Sequence, residues 1–208
     1  MNQRLLWNFE FAAKTTTFPR EFLTPYPSED LKWEVRYFWP NDQPIVLNLL
    51  DNALLDITNY KQKHHEDYYF LLPNKNYNIK RRRDELLYKP LRQKSTIAFG
   101  FAAKINLEYD DTHSKKTRSN DPLLQEITQQ VIHEGIEVYV QKKAFTYKFP
   151  TTPKVKLELA HLEVHKQIYF SACIEGRSQK LVENLAEYLL GQQISCEYVS
   201  FLKHILHL

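Results

Sequence analysis

Glycine is scarce in this chain of 208 residues, with 4 in all. Gly-rich loops that cradle phosphates are therefore excluded, and neither a P-loop nor a dinucleotide-binding glycine fingerprint occurs. The two cysteines, Cys173 and Cys196, are too few for a disulfide framework and fit a reducing cytosol. No apolar run is long enough to span a membrane. The N-terminus lacks the charged-then-apolar layout of a signal peptide. The expectation is a soluble, cytoplasmic protein with no membrane partner. A formal net charge of +3 is mild, and nucleic acid calls for a concentrated basic stripe.

What the chain does have is aromatic side chains, 13 Tyr, 12 Phe and 3 Trp, mostly in alternating segments that suit long strands. The most informative stretch runs from Tyr77 to Leu91. It reads as two short strands joined by a polar turn at Arg83, Asp84 and Glu85. Successive strand side chains point to opposite faces. Asn78, Lys80 and Arg82 therefore share a face, with Leu87 and Lys89 opposite them on the second strand. Cations placed side by side repel unless something negative lies between them. A solvated sheet face would explain one such strand; repetition on other strands points to a multivalent anion. Removing charge at Lys80 or Arg82 is accordingly expected to leave folding nearly intact. One basic cluster without an aromatic stacking platform argues against RNA.

In chain order, residues 1–30 read as an edge strand or wrapping arm, broken by Pro19, Pro25 and Pro27, and residues 31–208 as the main domain. Leu31–Trp39 alternates cleanly, with Lys32, Glu34 and Arg36 on one face. From an N-cap at Asp42, the spacing of Ile45, Val46, Leu49, Leu50, Ala53, Leu54 and Ile57 predicts a helix. The polar run Lys61–Glu66 leads into a strand at Asp67–Leu72. Thr96–Glu108 is the longest alternating segment and predicts one long strand, its small-residue face (Gly100 among them) marking a crowded interior or a ligand's approach. Tyr109–Asp121 reads as a loop, after which Asp121-Pro122 opens a helix that Gly135 closes. Three further strands follow. One sets Val138 and Val140 against Lys143; the next sets Leu157 and Leu159 against Lys156 and Glu158. The third sets Phe170, Ala172 and Ile174 against Ser171, Cys173 and Glu175. Ser178 starts another helix, and Tyr198–Leu208 is a last amphipathic piece.

The result is an α+β chain with about eight strands, each apolar on one face and mixed Lys, Arg and Glu on the other. That suits an antiparallel, tunnel-like barrel with a polar lumen and about three helices packed outside. His161, Glu163 and His165 continue the apolar face of their strand, so they should point away from the lumen. Cys173, without a histidine on its face, is a small packed thiol rather than a nucleophile.

The order of a strand, a helix, an Asp67–Phe70 strand, an I-K-x-R hairpin ending in L-Y-K, then L-E-L-A and S-A-C-I-E-G resembles the CYTH superfamily, the triphosphate tunnel metalloenzymes. The likeness spans roughly Leu31 to Leu202. It implies an eight-stranded tunnel whose Lys and Arg residues hold a triphosphate while Glu residues bind Mg²⁺ or Mn²⁺. Carried onto this sequence, Glu34 and Glu175 take the catalytic positions, and Glu34, Glu158 and Glu175 the metal positions. Arg36, Lys80, Arg82, Lys89, Lys143 and Lys156 take the substrate positions. The implied partner is a small, phosphate-rich anion, and the implied activity a metal-dependent triphosphatase. The alternative is a non-catalytic binding module for a nucleotide or other organic phosphate. Two departures matter: Lys32 replaces the first Glu of the E-x-E-x-K motif, and Cys173 takes a position that is often acidic.

Overall fold

The computed structural model describes residues 2–12, 18–108 and 121–208. Among these residues, ten strands form one curled antiparallel sheet, a half-barrel. In chain order they are β3 (Lys32–Pro40), β5 (Lys61–Leu71), β6 (Asn78–Arg82), β7 (Glu85–Lys89), β8 (Leu91–Lys94), β9 (Phe99–Phe101), β10 (Ile105–Asn106), β11 (Ile136–Lys148), β12 (Lys156–Val164) and β13 (Gln167–Gly176). Across the sheet they run β10-β7-β6-β5-β11-β12-β13-β3-β9-β8. A second sheet of three strands joins β1 (Gln3–Leu6), β2 (Phe9–Ala12) and β4 (Ile45–Asn48), with β2 and β4 parallel. The helices are α1 (Pro122–Glu134), α2 (Gln179–Leu190) and α3 (Tyr198–Leu206).

The α+β class holds, but the closed eight-stranded barrel does not. The expected long strand Thr96–Glu108 is broken in two, and the second strand of the hairpin stops at Lys89. Pro90 supplies no backbone N–H, so the ladder is interrupted between β7 and β8. Its carbonyl accepts from Ala102 N, where Thr96–Glu108 leaves the sheet between β9 and β10 instead of running on as one strand. The small-residue face of that segment is a crowded one. A Cβ on Gly100 would lie 3.1 Å from the Trp33 ring.

The helix expected from Asp42 is also absent. Ile45 and Leu47 are buried while Val46 is exposed, a period of two that places β4 beside β2. Asp51 and Asp56 then accept hydrogen bonds from Ala53 N and Thr58 N. These Asx turns start two short 3₁₀ helices, Asn52–Leu55 and Ile57–Asn59, in place of continuous α-helix. The apolar residues read as one helical stripe thus share a core without sharing a helix.

The convex face carries the largest core. Phe9, Phe11 and Phe22 from the N-terminal segment meet Trp33, Leu157, Leu159 and Ile174 of the sheet and Leu181, Val182 and Leu185 of α2. His161 packs there between Trp7 and Phe170, on the side away from the cavity. The α2 contact is close at Gly176, where an added Cβ would sit 2.8 Å from Val155 Cγ2 and 3.1 Å from Val182 Cγ2. Gly176→Ala is expected to push α2 off the sheet and cost about 1–3 kcal/mol, read as a lowered urea midpoint with an unchanged slope. On the same outer side, α1 begins at the expected Asp121 cap and covers Leu72, Ile79, Leu86 and Tyr88 with Ile127 and Val131. The loop expected before it lies, from 109 to 120, outside the described residues.

The last helix lies on the inner side of the sheet, and this decides where the site can be. α3 lies on the concave face, with Tyr198, Val199, Phe201 and Leu202 against Val138, Val140, Ala160, Leu162 and Val164. Phe201 stacks flat on Phe38 at 3.8 Å between centroids, and Tyr198 on Tyr69 at 4.9 Å. Lys203 fixes it further by donating to the carbonyls of Pro73 and Lys75 and to Asn76 Oδ1. One end of the trough is therefore filled by apolar packing, and only the other end is polar. No helix is long and apolar enough to cross a membrane among the described residues.

Candidate functional site

The open end of the trough is a cavity of about 310 Å³. Among the described residues that line it, nine are Lys or Arg and five are Asp or Glu. The hairpin β6–β7 pairs Asn78 with Lys89, Lys80 with Leu87 and Arg82 with Glu85, which aims Lys80, Arg82 and Lys89 inward. From the far side of the curl, β3, β12 and β13 contribute Lys32, Glu34, Arg36, Glu158 and Glu175. β7 and β3 lie six places apart in the sheet order, yet Lys89 Nζ reaches Glu34 Oε1 at 2.6 Å. The curl is thus tight enough to bring both walls onto one ligand.

Four carboxylates each lie between two cations. Asp67 accepts from Arg82 Nε at 2.6 Å, Arg82 Nη2 at 2.7 Å and Lys80 Nζ at 2.9 Å. Glu158 Oε1 accepts from Lys142 at 3.0 Å and from Arg36 Nη1 at 3.2 Å. Glu34 lies between Lys89 and Lys32, and Glu175 between Lys32 and Lys156. Burial opposes ionisation of all of these that shift, but the cations outweigh it. Lys89 and Lys32 hold Glu34 at about 2, and Arg82 and Lys80 hold Asp67 at about 2. Lys142 and Arg36 hold Glu158 well below the usual carboxylate range.

The cations are less well served. Burial, with Arg82 adding to it and Asp67 opposing, pushes Lys80 down to about 7. Half-buried Lys63 and exposed Lys104 are both lowered, by partial desolvation first, with Glu158 and Glu175 opposing at Lys63 and Glu34 at Lys104. Among the described residues neither has a carboxylate within ion-pair distance. Three rings help carry the positive charge: Lys89 lies 3.8 Å from the Phe101 centroid, Lys80 5.3 Å from Tyr69 and Arg36 5.4 Å from Tyr198.

Of the residues singled out in the sequence, Glu34, Arg36, Lys80, Arg82, Lys89, Glu158 and Glu175 converge on this cavity. Lys156 reaches Glu175 at 3.6 Å from outside the lining. Lys143 is a correction: it is exposed on the convex face, and its neighbour Lys142 faces inward. The face of β11 that carries Val138 and Val140 is the concave one, because α3 covers it. Lys142 continues that face by parity. Sequence reasoning also missed Asp67, Lys63 and Lys104. Extending the strand back from Leu71 through the polar run would have aligned Tyr69, Asp67, His65 and Lys63 on one face. Cys173 is fully buried and its thiol is pushed far up by burial, with Glu34 and Glu175 adding and Arg36 opposing. It packs; it does not attack.

Among the described residues, the carboxylates expected to hold Mg²⁺ or Mn²⁺ are each paired with Lys or Arg. No group of three His, Cys, Asp or Glu side chains suited to a metal occurs among the described residues. Glu175 has Lys32 on one oxygen and Lys156 near the other, and Glu158 Oε1 is shared by two cations. A hard divalent ion needs such oxygens free to approach it closely.

No family model matches the chain, and no curated protein matches it. Among solved structures, it is similar to a protein of Bacillus halodurans that carries the provisional name adenylate cyclase. Identity is 9%, coverage is 79% of this chain and 93% of that one, and the TM-score is 0.38.

Proposed function

We propose that the cavity binds a small, phosphate-rich anion, a triphosphate or polyphosphate group, as the resemblance to the CYTH superfamily implies. The observation that carries this reading is the surplus of cations over carboxylates among the described residues of one cavity, where Lys63 and Lys104 have no carboxylate within ion-pair distance. A chain of phosphate oxygens supplies the missing charge and accepts charge-assisted hydrogen bonds from several fixed donors at once. The engaged state of Glu34, Glu158 and Glu175 supports binding rather than metal-dependent hydrolysis. Within this reading those glutamates position the cations, and Arg36, Lys63, Lys80, Arg82, Lys89, Lys104 and Lys142 contact the ligand. The rings of Phe99, Phe101 and Tyr198 on the cavity wall favour a second reading, an organic phosphate such as a nucleotide.

Calorimetric titration with tripolyphosphate, pyrophosphate and phosphate tests the proposal directly. Affinity should rise steeply with anion charge and fall with added salt. Equal, weak binding of all three would contradict it.

The pH dependence follows from Lys80. An anion at the cavity favours the ammonium, so binding above the folded pKa of about 7 must draw in a proton. Affinity for a sulfated polyanion, whose own charge is fixed, should fall up to about tenfold per unit from about pH 7 to about pH 9. Proton uptake is measurable as a buffer-dependent heat. A flat profile would place Lys80 out of the ligand's reach.

A further inference from the structure

Glu34 on β3 and Glu175 on β13 are paired directly opposite one another in the sheet, side chains on the same concave face. Two carboxylates in that relation repel, and the sheet is strained unless a cation lies between them. Either a bound metal or a side chain can be that cation. Lys32 lies two residues before Glu34 on the same face of β3, and its Nζ is 2.6 Å from Glu175 Oε2 and 3.7 Å from Glu34 Oε1. Lys89 holds the same Glu34 oxygen, Oε1, at 2.6 Å, and Lys156 stands 3.6 Å from Glu175 Oε1. Arg36, next along the face, is committed to Glu158 and Ser171, and Cys173 between them stays a neutral thiol.

We infer that the Lys32 ammonium is a built-in replacement for a divalent ion at the Glu34–Glu175 pair, so the protein takes its polyanion in the metal-free form. The inference rests on the anion-binding reading and narrows its ligand. A free polyphosphate brings its full negative charge to the lysines and arginines. Its Mg²⁺ complex brings less charge, and its ion meets Lys32 Nζ head on. Magnesium should therefore act as a competitor for the ligand and not as a partner in binding.

Two measurements on the full chain decide it. Tripolyphosphate is titrated in EDTA and again with excess Mg²⁺. The expected result is tight binding in EDTA, weakened several-fold by Mg²⁺. Separately, Mn²⁺ is followed by electron paramagnetic resonance with no phosphate present, in the parent and in Lys32→Met. The parent should leave Mn²⁺ free in solution, and Lys32→Met should bind it through the exposed Glu34–Glu175 pair. If removing Lys32 prevents folding, Lys32→Arg, which keeps the charge, should bind tripolyphosphate in EDTA as the parent does. Binding of tripolyphosphate that appears only with metal, or Mn²⁺ bound by the parent protein, overturns the inference and leaves the anion-binding reading standing. Failure to bind in either buffer overturns that reading, and this one with it.

Discussion

Asp67→Asn is expected to destabilise the protein by about 3–5 kcal/mol, the cost of removing one partner from a buried ion pair. Asp67 is 2% exposed and takes three hydrogen bonds from Arg82 and Lys80. An asparagine of the same shape leaves the Arg82 guanidinium half-buried with no counter-charge, and Lys80, already lowered by burial, sheds its proton. Against a typical total stability of about 5–15 kcal/mol, that is a large share. Tripolyphosphate should restore part of the loss, because its oxygens meet the same two cations, and a ligand bound only to the native state raises stability. The acid limb should change as well. The folded carboxyl titrates at about 2 against an ordinary 3.8, so its contribution is present above 3.8 and lost as pH falls through about 2. The variant should lose that part of the acid dependence. Urea unfolding with and without tripolyphosphate checks all three points. A loss below about 1 kcal/mol would mean that the trio behaves as a solvated surface pair.

The double variant Lys63→Met, Lys104→Met should do the opposite: leave stability within about 0.5 kcal/mol of the parent and cripple binding. Neither lysine has a carboxylate within ion-pair distance among the described residues, and Lys104 is exposed, so the empty protein gains little from their charge. Methionine keeps most of each stem's packing. The bound anion, by contrast, loses two charge-assisted contacts, at about 1.5–3 kcal/mol apiece. A fall of at least a hundredfold in tripolyphosphate affinity, with an unchanged melting point, is the expected result. Unchanged affinity would place the anion elsewhere in the cavity.

The basic hairpin was legible in the sequence because its information is local. A two-strand register fixes which of Lys80, Arg82 and Lys89 share a face, and that needs no tertiary knowledge. The same holds for Asp121-Pro122 and for Ser171, Cys173 and Glu175 on β13. What escaped was non-local. The sequence shows Lys80 and Arg82 as uncompensated, so removing either charge was expected to spare folding; the structure gives both to Asp67, from a neighbouring strand. Lys143 was assigned inward because Val138 and Val140 looked like the outer face. Only the docking of α3 inside the trough makes that apolar stripe concave and turns Lys142 inward. The spacing of Ile45–Ile57 fits a helical stripe, but its leucines reach one core through a strand and the Asx turns at Asp51 and Asp56, without a helix. Lys32 was visible as a departure from an acidic motif. Its reach across to Glu175 was not, because that depends on the β3–β13 register.

A single-crystal experiment tests the central claim most directly. Crystals grown in a non-coordinating buffer are soaked in tungstate, a heavy tetrahedral oxyanion that scatters anomalously. The expected result is a strong peak inside the cavity, within hydrogen-bond reach of Lys80, Arg82 or Lys89 and of Lys142 or Arg36 on the facing wall. Peaks confined to surface lysines, with the cavity holding water alone, would contradict it.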